Sequence, residues 1–307
     1  MSTIIPDIET LKKVVKINAS IPFESISPYI NDALDIYIEP QVGNVIVEIA
    51  NAGEDQALTD KVLRVLGPLT LALATDELGI QFGDSGITVQ NEQGKRSPAN
   101  EAKIAGAKKN LFFRGMQALD RLLTYLERNP AKYPDYADHI SITNQVPCFI
   151  HSAQEYQDTG LINIDYSTLT YRTILPTIRQ LQERHVREMV TEELYNCLLA
   201  GKNDEPLTHI LTEHIIRYLA NKSAELYTSQ TSRQERSDTG TPEYQPIIRP
   251  VYQDTAETGN FFAQQAAYYA GKITNFIAEN AEALGVNKPS TAIKFNSKEK
   301  KIFTSIS

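Results

Sequence analysis

Sliding the sequence along itself by 148 positions lays Phe23–Leu78 over Tyr171–Leu226 without a gap, and this repetition constrains the fold more than any other feature. The overlay pairs Ile26, Pro28 and Ile30 with Ile174, Pro176 and Ile178, then Val42 with Val190, Ala52 with Ala200 and Gly53 with Gly201. Further on it pairs Leu63 with Leu211, Leu71 and Ala72 with Leu219 and Ala220, and Glu77 and Leu78 with Glu225 and Leu226. These are 11 identities in 56 positions, roughly 20% where about 6% is expected from average composition at one fixed offset. The 307 residues are therefore expected to form two copies of one unit.

The spacing of apolar residues says what that unit is. Ile26, Ile30, Ala33, Leu34 and Tyr37 recur at helical intervals, and Ser27 with Pro28 supplies an N-cap followed by proline at the first helical position. This predicts a helix to about Glu39, and the same start signal is expected at Pro176. Pro40 suits the first turn of a second helix whose face is Val42, Val45, Ile46 and Ile49, with Gly53 closing the pair. From Thr59 a stripe of Val62, Leu63, Leu66, Leu69 and Leu73 runs to about Leu78, and Pro68 inside it predicts a kink. Ser97 and Pro98 announce a long helix carrying Ile104, Ala107, Leu111, Ala118, Leu122 and Leu126, which ends at Asn129 before Pro130. Phe276 to Asn280 resembles Tyr125 to Asn129 and ends the matching helix of the second copy.

The expected fold class is thus mainly α: two tandem helical-bundle repeats with a small β-hairpin, extended insertions and an extended C-terminal tail. The first repeat takes residues 1–145. Its hairpin insert, about 79–97, places Ile80–Phe82 and Ile87–Val89 on either side of Gly83, Asp84, Ser85 and Gly86. Tyr133 to Gln145 reads as a connection between the repeats. The second repeat takes residues 146–287 with a longer insert, about 228–255. There Gln230 to Thr241 is almost wholly polar and reads as an exposed loop, whereas Glu243 to Tyr252 is proline-punctuated and extended. Residues 288–307 form the tail, with short β-favouring runs at Ala292–Phe295 and Ile302–Ser305 around Lys298, Lys300 and Lys301.

Composition narrows the classes of partner. Hydrophobic residues make up 41% and charged ones 22%, as in a globular chain. A net charge of −8 disfavours nonspecific attraction to nucleic acid or to anionic lipid. Met1 to Asp7 lacks a basic segment followed by an apolar run, and the most apolar stretch, Leu66–Ala74, is too short to cross a bilayer, so no membrane role is expected. Cys148 and Cys197 are the only cysteines, without a CxxC spacing, and are expected to be reduced.

Chemistry-bearing motifs are hard to find. His209 and His214 lie five residues apart, a spacing that does not place both on one helical face as a zinc-binding HExxH would. Glu183, Glu188, Glu192 and Glu193 crowd one segment, but Arg179, Arg184 and Arg187 interleave with them as on a solvated, ion-paired face. Gly201-Lys202-Asn203-Asp204 lacks the GxxxxGK[ST] pattern and reads as a helix-to-helix turn. Cys197 sits on an apolar stripe, where a buried thiol is the ordinary explanation, and Lys108 with Lys109 is an isolated solvated pair. Fifteen tyrosines offer an apolar body and a polar tip for protein contacts or helical cores. No catalytic site, metal or cofactor is expected, and the chain is read as not an enzyme.

Leu11-Lys12-Lys13, Asn18 to Ile26, Pro28-Tyr29-Ile30, Tyr37 to Pro40, Ala72 to Leu78 leading into Gly83 to Val89, Tyr125 to Asn129 and Lys132-Tyr133-Pro134 together resemble an uncharacterised family encoded in phages and prophages of Bacteroidetes. The family is similar to head-tail connectors, the helical adaptors that form a ring beneath the portal of tailed phages. The resemblance implies a structural virion protein made in the host cytoplasm and placed at the head-tail junction. Its implied partners are other copies of itself in a ring of about twelve by analogy with connectors, the portal, tail or neck proteins, and DNA only as passing cargo. It also implies that the helices form the ring wall, and that the hairpin turn and the longer insert reach partner rings or the lumen. The tail would clasp a neighbour or the portal. The residues singled out for interaction are Gly83, Asp84, Ser85 and Gly86 of the turn and Phe295, Lys298, Lys300, Lys301 and Phe303 of the tail.

Two other classes compete with this reading. A helical module in which two repeats enclose a groove for a peptide or partner helix would be monomeric or dimeric. A hydrolase would need a site assembled from scattered carboxylates.

Overall fold

A computed structural model describes residues 4–17, 21–75, 77, 80–83, 86–89, 101–143, 147–201, 205–234, 248–250 and 258–286. Among the described residues the fold is mainly α-helical, with two small antiparallel strand pairs. In chain order the first part contains α1 (Ile8–Lys12), α2 (Ser27–Ala33), a π-helical turn (Leu34–Ile38), α3 (Glu39–Val42), α4 (Asn44–Ala52) and α5 (Gln56–Ala74). Strands β1 (Ile80–Gly83) and β2 (Gly86–Val89) follow, then α6 (Glu101–Glu127) and α7 (Pro134–Thr143). The second part contains α8 (Ala153–Asp158), β3 (Ile162–Asn163), α9 (Thr168–Leu181), a second π turn (Gln182–Val186) and α10 (Arg187–Met189). It continues with α11 (Glu192–Leu199), α12 (Pro206–Gln234), β4 (Arg249–Pro250) and α13 (Thr258–Glu279).

The two π turns lie 148 residues apart, at the offset that aligns the sequence with itself. Their cause is visible in the burial pattern. Ile26, Ile30, Leu34, Ile38 and Val42 are buried, and so are Ile174, Ile178, Gln182, Val186 and Val190. Both rows repeat every four residues, whereas an α-helix turns every 3.6, so a straight α-helix would carry the row off its core-facing side. One wider turn, with Glu39 N–H bonded to the Leu34 carbonyl in the first copy and Arg187 N–H to the Gln182 carbonyl in the second, brings the row back. Gly53 and Gly201 share the same offset, and both end their helices in the left-handed region at φ +72° and +70°. The closing residues of α6 and α13 also correspond: the Asn129 amide donates to the Tyr125 carbonyl at 2.8 Å and the Asn280 amide to the Phe276 carbonyl at 2.9 Å.

Two hydrophobic cores result. Among the described residues, one gathers buried side chains from Ile4 to Tyr136 together with Leu169, the other from Cys148 to Val286. Within them α5 packs on α6 and α2, and α12 packs on α13 and α9.

The structure corrects several expectations. The first helix starts at Ser27 with Pro28 in its first turn, but it changes to the wider turn at Leu34 instead of running unbroken to Glu39. The start signal is not copied at Pro176, which lies inside α9, because Ser167 already caps that helix by accepting from Thr170 N–H. Tyr133 to Gln145 is no mere connection: Tyr133 and Tyr136 are buried in the first core and α7 occupies Pro134–Thr143. Helix α12 extends to Gln234, so the opening of the 228–255 insert is helical. Its extended part supplies β4, whose Pro250 and Arg249 pair with Ile162 and Asn163. Cys148 is the buried thiol, while Cys197 is only partly covered; both are free. Pro68 lies buried inside α5 as the sequence places it.

Candidate functional site

The residues singled out from sequence fall at the margins of the described structure. Gly83 and Gly86 face each other as the last paired residues of the hairpin, in register with Ile80–Val89, Gln81–Thr88 and Phe82–Ile87. Asp84, Ser85, Phe295, Lys298, Lys300, Lys301 and Phe303 lie outside the described residues. Three places within it bring polar groups together.

The first is the joint between the two cores, and sequence reading missed it. Helix α9 starts at the joint, and the N–H groups of its first turn have no partner within the helix. Ser167 accepts from Thr170 N–H at 3.0 Å, and Asp120 of α6 accepts from Leu169 N–H at 2.9 Å, so one cap is shared between the two halves. Burial raises the Asp120 carboxyl above its ordinary range, while the N–H of Leu169, the Ser167 hydroxyl and the N–H of Thr168 hold it down. The Leu169 side chain belongs to the first core although its backbone belongs to the second half. One turn on, Arg172 donates to the Gln41 carbonyl at 3.1 Å, to Glu127 at 3.2 Å and to the Tyr136 hydroxyl. Thr168 completes the set by donating to Glu127 at 2.8 Å. The only signal in the sequence is that Asp120, Glu127 and Arg172 have no stabilising partner of opposite charge one turn away in their own helices.

The second is a shallow cleft of about 330 Å³ beside Asp55, bordered by Ile49, Glu54, Gln56, Lys132 and Tyr133. Asp55 is the N-cap of α5, accepting from Leu58 N–H at 3.2 Å, from Lys132 at 2.6 Å and from the Tyr133 hydroxyl at 2.7 Å. The hydrogen bonds from Lys132 and then Tyr133 hold the Asp55 carboxyl down to about 2. Burial, followed by the bonds to Tyr125 and Asp55, pushes the Tyr133 hydroxyl far up. Neither group is poised to exchange a proton near neutral pH, so this trio clamps α7 to the start of α5 and is not tuned for acid–base work.

The third is a cleft of about 540 Å³ where Asp35, Glu39, Pro40, Gly43 and Asn44 meet His139 of α7. The His139 ring nitrogen Nε2 lies 3.3 Å from the Pro40 carbonyl.

The remaining expectations can be placed as well. The Glu–Arg run is ion-paired at the surface: Arg187 reaches Glu183 at 2.8 Å and also pairs with Glu192. Burial lowers the His214 imidazole, which lies against the rings of Tyr269 and Phe276. Among the described residues no group of three His, Cys, Asp or Glu is arranged to hold a metal ion, and no helix is long and apolar enough to cross a membrane. Many tyrosines serve the cores, with Tyr156 donating to the Ala220 carbonyl at 3.1 Å and Tyr171 to the Ile150 carbonyl at 2.6 Å.

Residues 11–145 match a family described as a family of unknown function (DUF6712). No curated protein and no solved structure matches the chain.

Proposed function

We propose that this chain is a structural virion protein of a tailed phage, a head-tail connector that assembles as a ring at the portal and joins capsid to tail while DNA passes. The observation that carries this reading is the start of α6. Ala102 to Ala107 are all exposed, Ile104 to 40%, so every side chain of this stretch lies at the surface. Six residues of helix reach about 9 Å, and the stretch follows the hairpin insert in sequence. A block of two helical lobes locked through Asp120 and Arg172, with an exposed helix start that follows its hairpin insert, suits a subunit that packs sideways into a ring and engages partners through its exposed parts. The acidic balance suits a lumen through which DNA moves without sticking. The residue resemblance to the phage family supplies the biological setting.

Native mass spectrometry of the purified protein, alone and mixed with portal or particles from the same genome, tests the proposal. A discrete high-order oligomer, or a monomer that assembles only on the portal, is the expected result. A stable monomer indifferent to both overturns it and favours the peptide-binding module, with the cleft at Asp35 and Glu39 as its groove.

A further inference from the structure

Part of the first repeat carries carboxylates that have no lysine or arginine partner among the described residues. Between Lys16 and Lys61 the sequence has eight carboxylates and no lysine, arginine or histidine. Asp35 and Glu39 converge on the cleft beside His139, and Asn44, at the same cleft, donates to a third carboxylate, Glu48, at 3.1 Å. Ile36 and Val45, next to these residues in the chain, are 55% and 44% exposed. Among the described residues no lysine or arginine lies within ion-pair distance of Asp35, Glu39 or Glu48.

The second repeat serves as an internal control. At the positions of Asp35, Ile36, Glu39 and Asn44 it has Glu183, Arg184, Arg187 and Glu192, and Arg187 pairs with both glutamates. That face is neutralised from within. Its counterpart in the first repeat replaces both arginines, one by an exposed isoleucine and the other by a further carboxylate, which leaves an acidic cleft with exposed apolar residues next to its acids in the chain.

The rest of the chain contains a segment of matching chemistry. Residues 287–307 hold five lysines against one glutamate, in a chain of net charge −8, and intersperse them with Ile293, Phe295, Ile302 and Phe303. We infer that this C-terminal segment docks in the acidic cleft of a neighbouring copy, with its lysines on Asp35, Glu39 and Glu48 and its phenylalanines on Ile36 and Val45. The choice of a neighbour rests on the ring proposed above. In a head-to-tail ring the second repeat of one copy, which ends at the segment, meets the first repeat of the next, which holds the cleft, and every interface is the same. Opposite charges on the two sides also favour encounter and fix the register.

The test uses the full-length chain with a benzophenone amino acid in place of Phe303, prepared in heavy-isotope and ordinary forms, mixed and irradiated. Cross-links from the segment to the peptide spanning residues 32–48, joining heavy to ordinary copies, are expected. In a second arm, Asp35→Lys with Glu39→Lys weakens assembly by about tenfold or more, and adding Lys298→Glu, Lys300→Glu and Lys301→Glu to the same chain restores it. The milder pair Asp35→Asn with Glu39→Gln gives a smaller loss in the same direction and guards against misfolding of the charge-reversed chain. Intact rings whose cross-links avoid the cleft overturn the docking and leave the ring standing. Cross-links confined to single chains overturn the neighbour as occupant. A chain that never assembles and never cross-links to the cleft overturns both.

Discussion

The carboxylate of Asp120 accepts the main-chain N–H of Leu169 at 2.9 Å across 49 residues of sequence, so a side chain of the first half caps a helix of the second. Asp120→Ala removes the acceptor and is expected to cost about 1–2 kcal/mol, the usual worth of a helix cap. Asp120→Asn keeps an acceptor oxygen and removes the buried charge, so it is expected to cost far less. Urea unfolding of the two variants side by side checks the ordering, and equal losses would show that the charge, not the cap, matters.

Arg172 is mostly buried and serves a carbonyl, a carboxylate and a phenol at once. Arg172→Met keeps much of the stem but leaves these groups without their donor, for a loss of about 2–3 kcal/mol. Because the arginine joins the two cores, calorimetry is expected to show the unfolding transition broadening or splitting. A lysine at this position lacks the planar fork and is not expected to restore the joint.

Stability against acid follows from Asp55. Its carboxyl is held down to about 2 in the folded chain, below the ordinary 3.8. A lowered carboxyl stabilises the fold fully above its ordinary value, and that contribution fades as pH falls through the folded value. Asp55→Asn is therefore expected to lose about 1 kcal/mol at neutral pH, after allowance for solvent screening, and the difference from the parent disappears near pH 2. A gap that persisted in acid would place its origin in packing.

Gly53 and Gly201 offer a matched pair. Both have positive φ, and a Cβ added to either meets nothing within 4 Å, so only the backbone opposes a side chain. Replacing each by alanine is expected to cost about 1 kcal/mol. Thermal unfolding of the two single variants should give equal losses if the copies share this turn, and unequal losses would separate them.

The sequence reveals the parts of the fold that repeat and hides those that join. Apolar spacing locates α5 and the body of α6 because each buries a periodic face in its own neighbourhood, and the glycines of the turn locate the hairpin. Gln182 shows one limit of this method. It occupies a buried place in the four-residue row because its amide accepts from Phe149 N–H and donates to the Pro147 carbonyl, each at 3.0 Å. Both partners are more than thirty residues away, and no local pattern announces them. Asp120, Glu127 and Arg172 give only a faint signal for the same reason, since a polar residue with a distant partner looks like one facing water. The wider turns are legible only in retrospect, because a row of every fourth residue differs little from one of every third and fourth over so short a span.

The Asp120–Leu169 and Arg172 contacts also bear on how the molecule would carry load. An oily interface between two lobes slides under stress and recovers. A joint made of short hydrogen bonds and one inserted leucine resists small displacements stiffly and then fails abruptly, because its bonds weaken steeply with distance and angle. A subunit built this way passes a push on one lobe to the other almost undiminished, behaving as a rigid strut up to its breaking point.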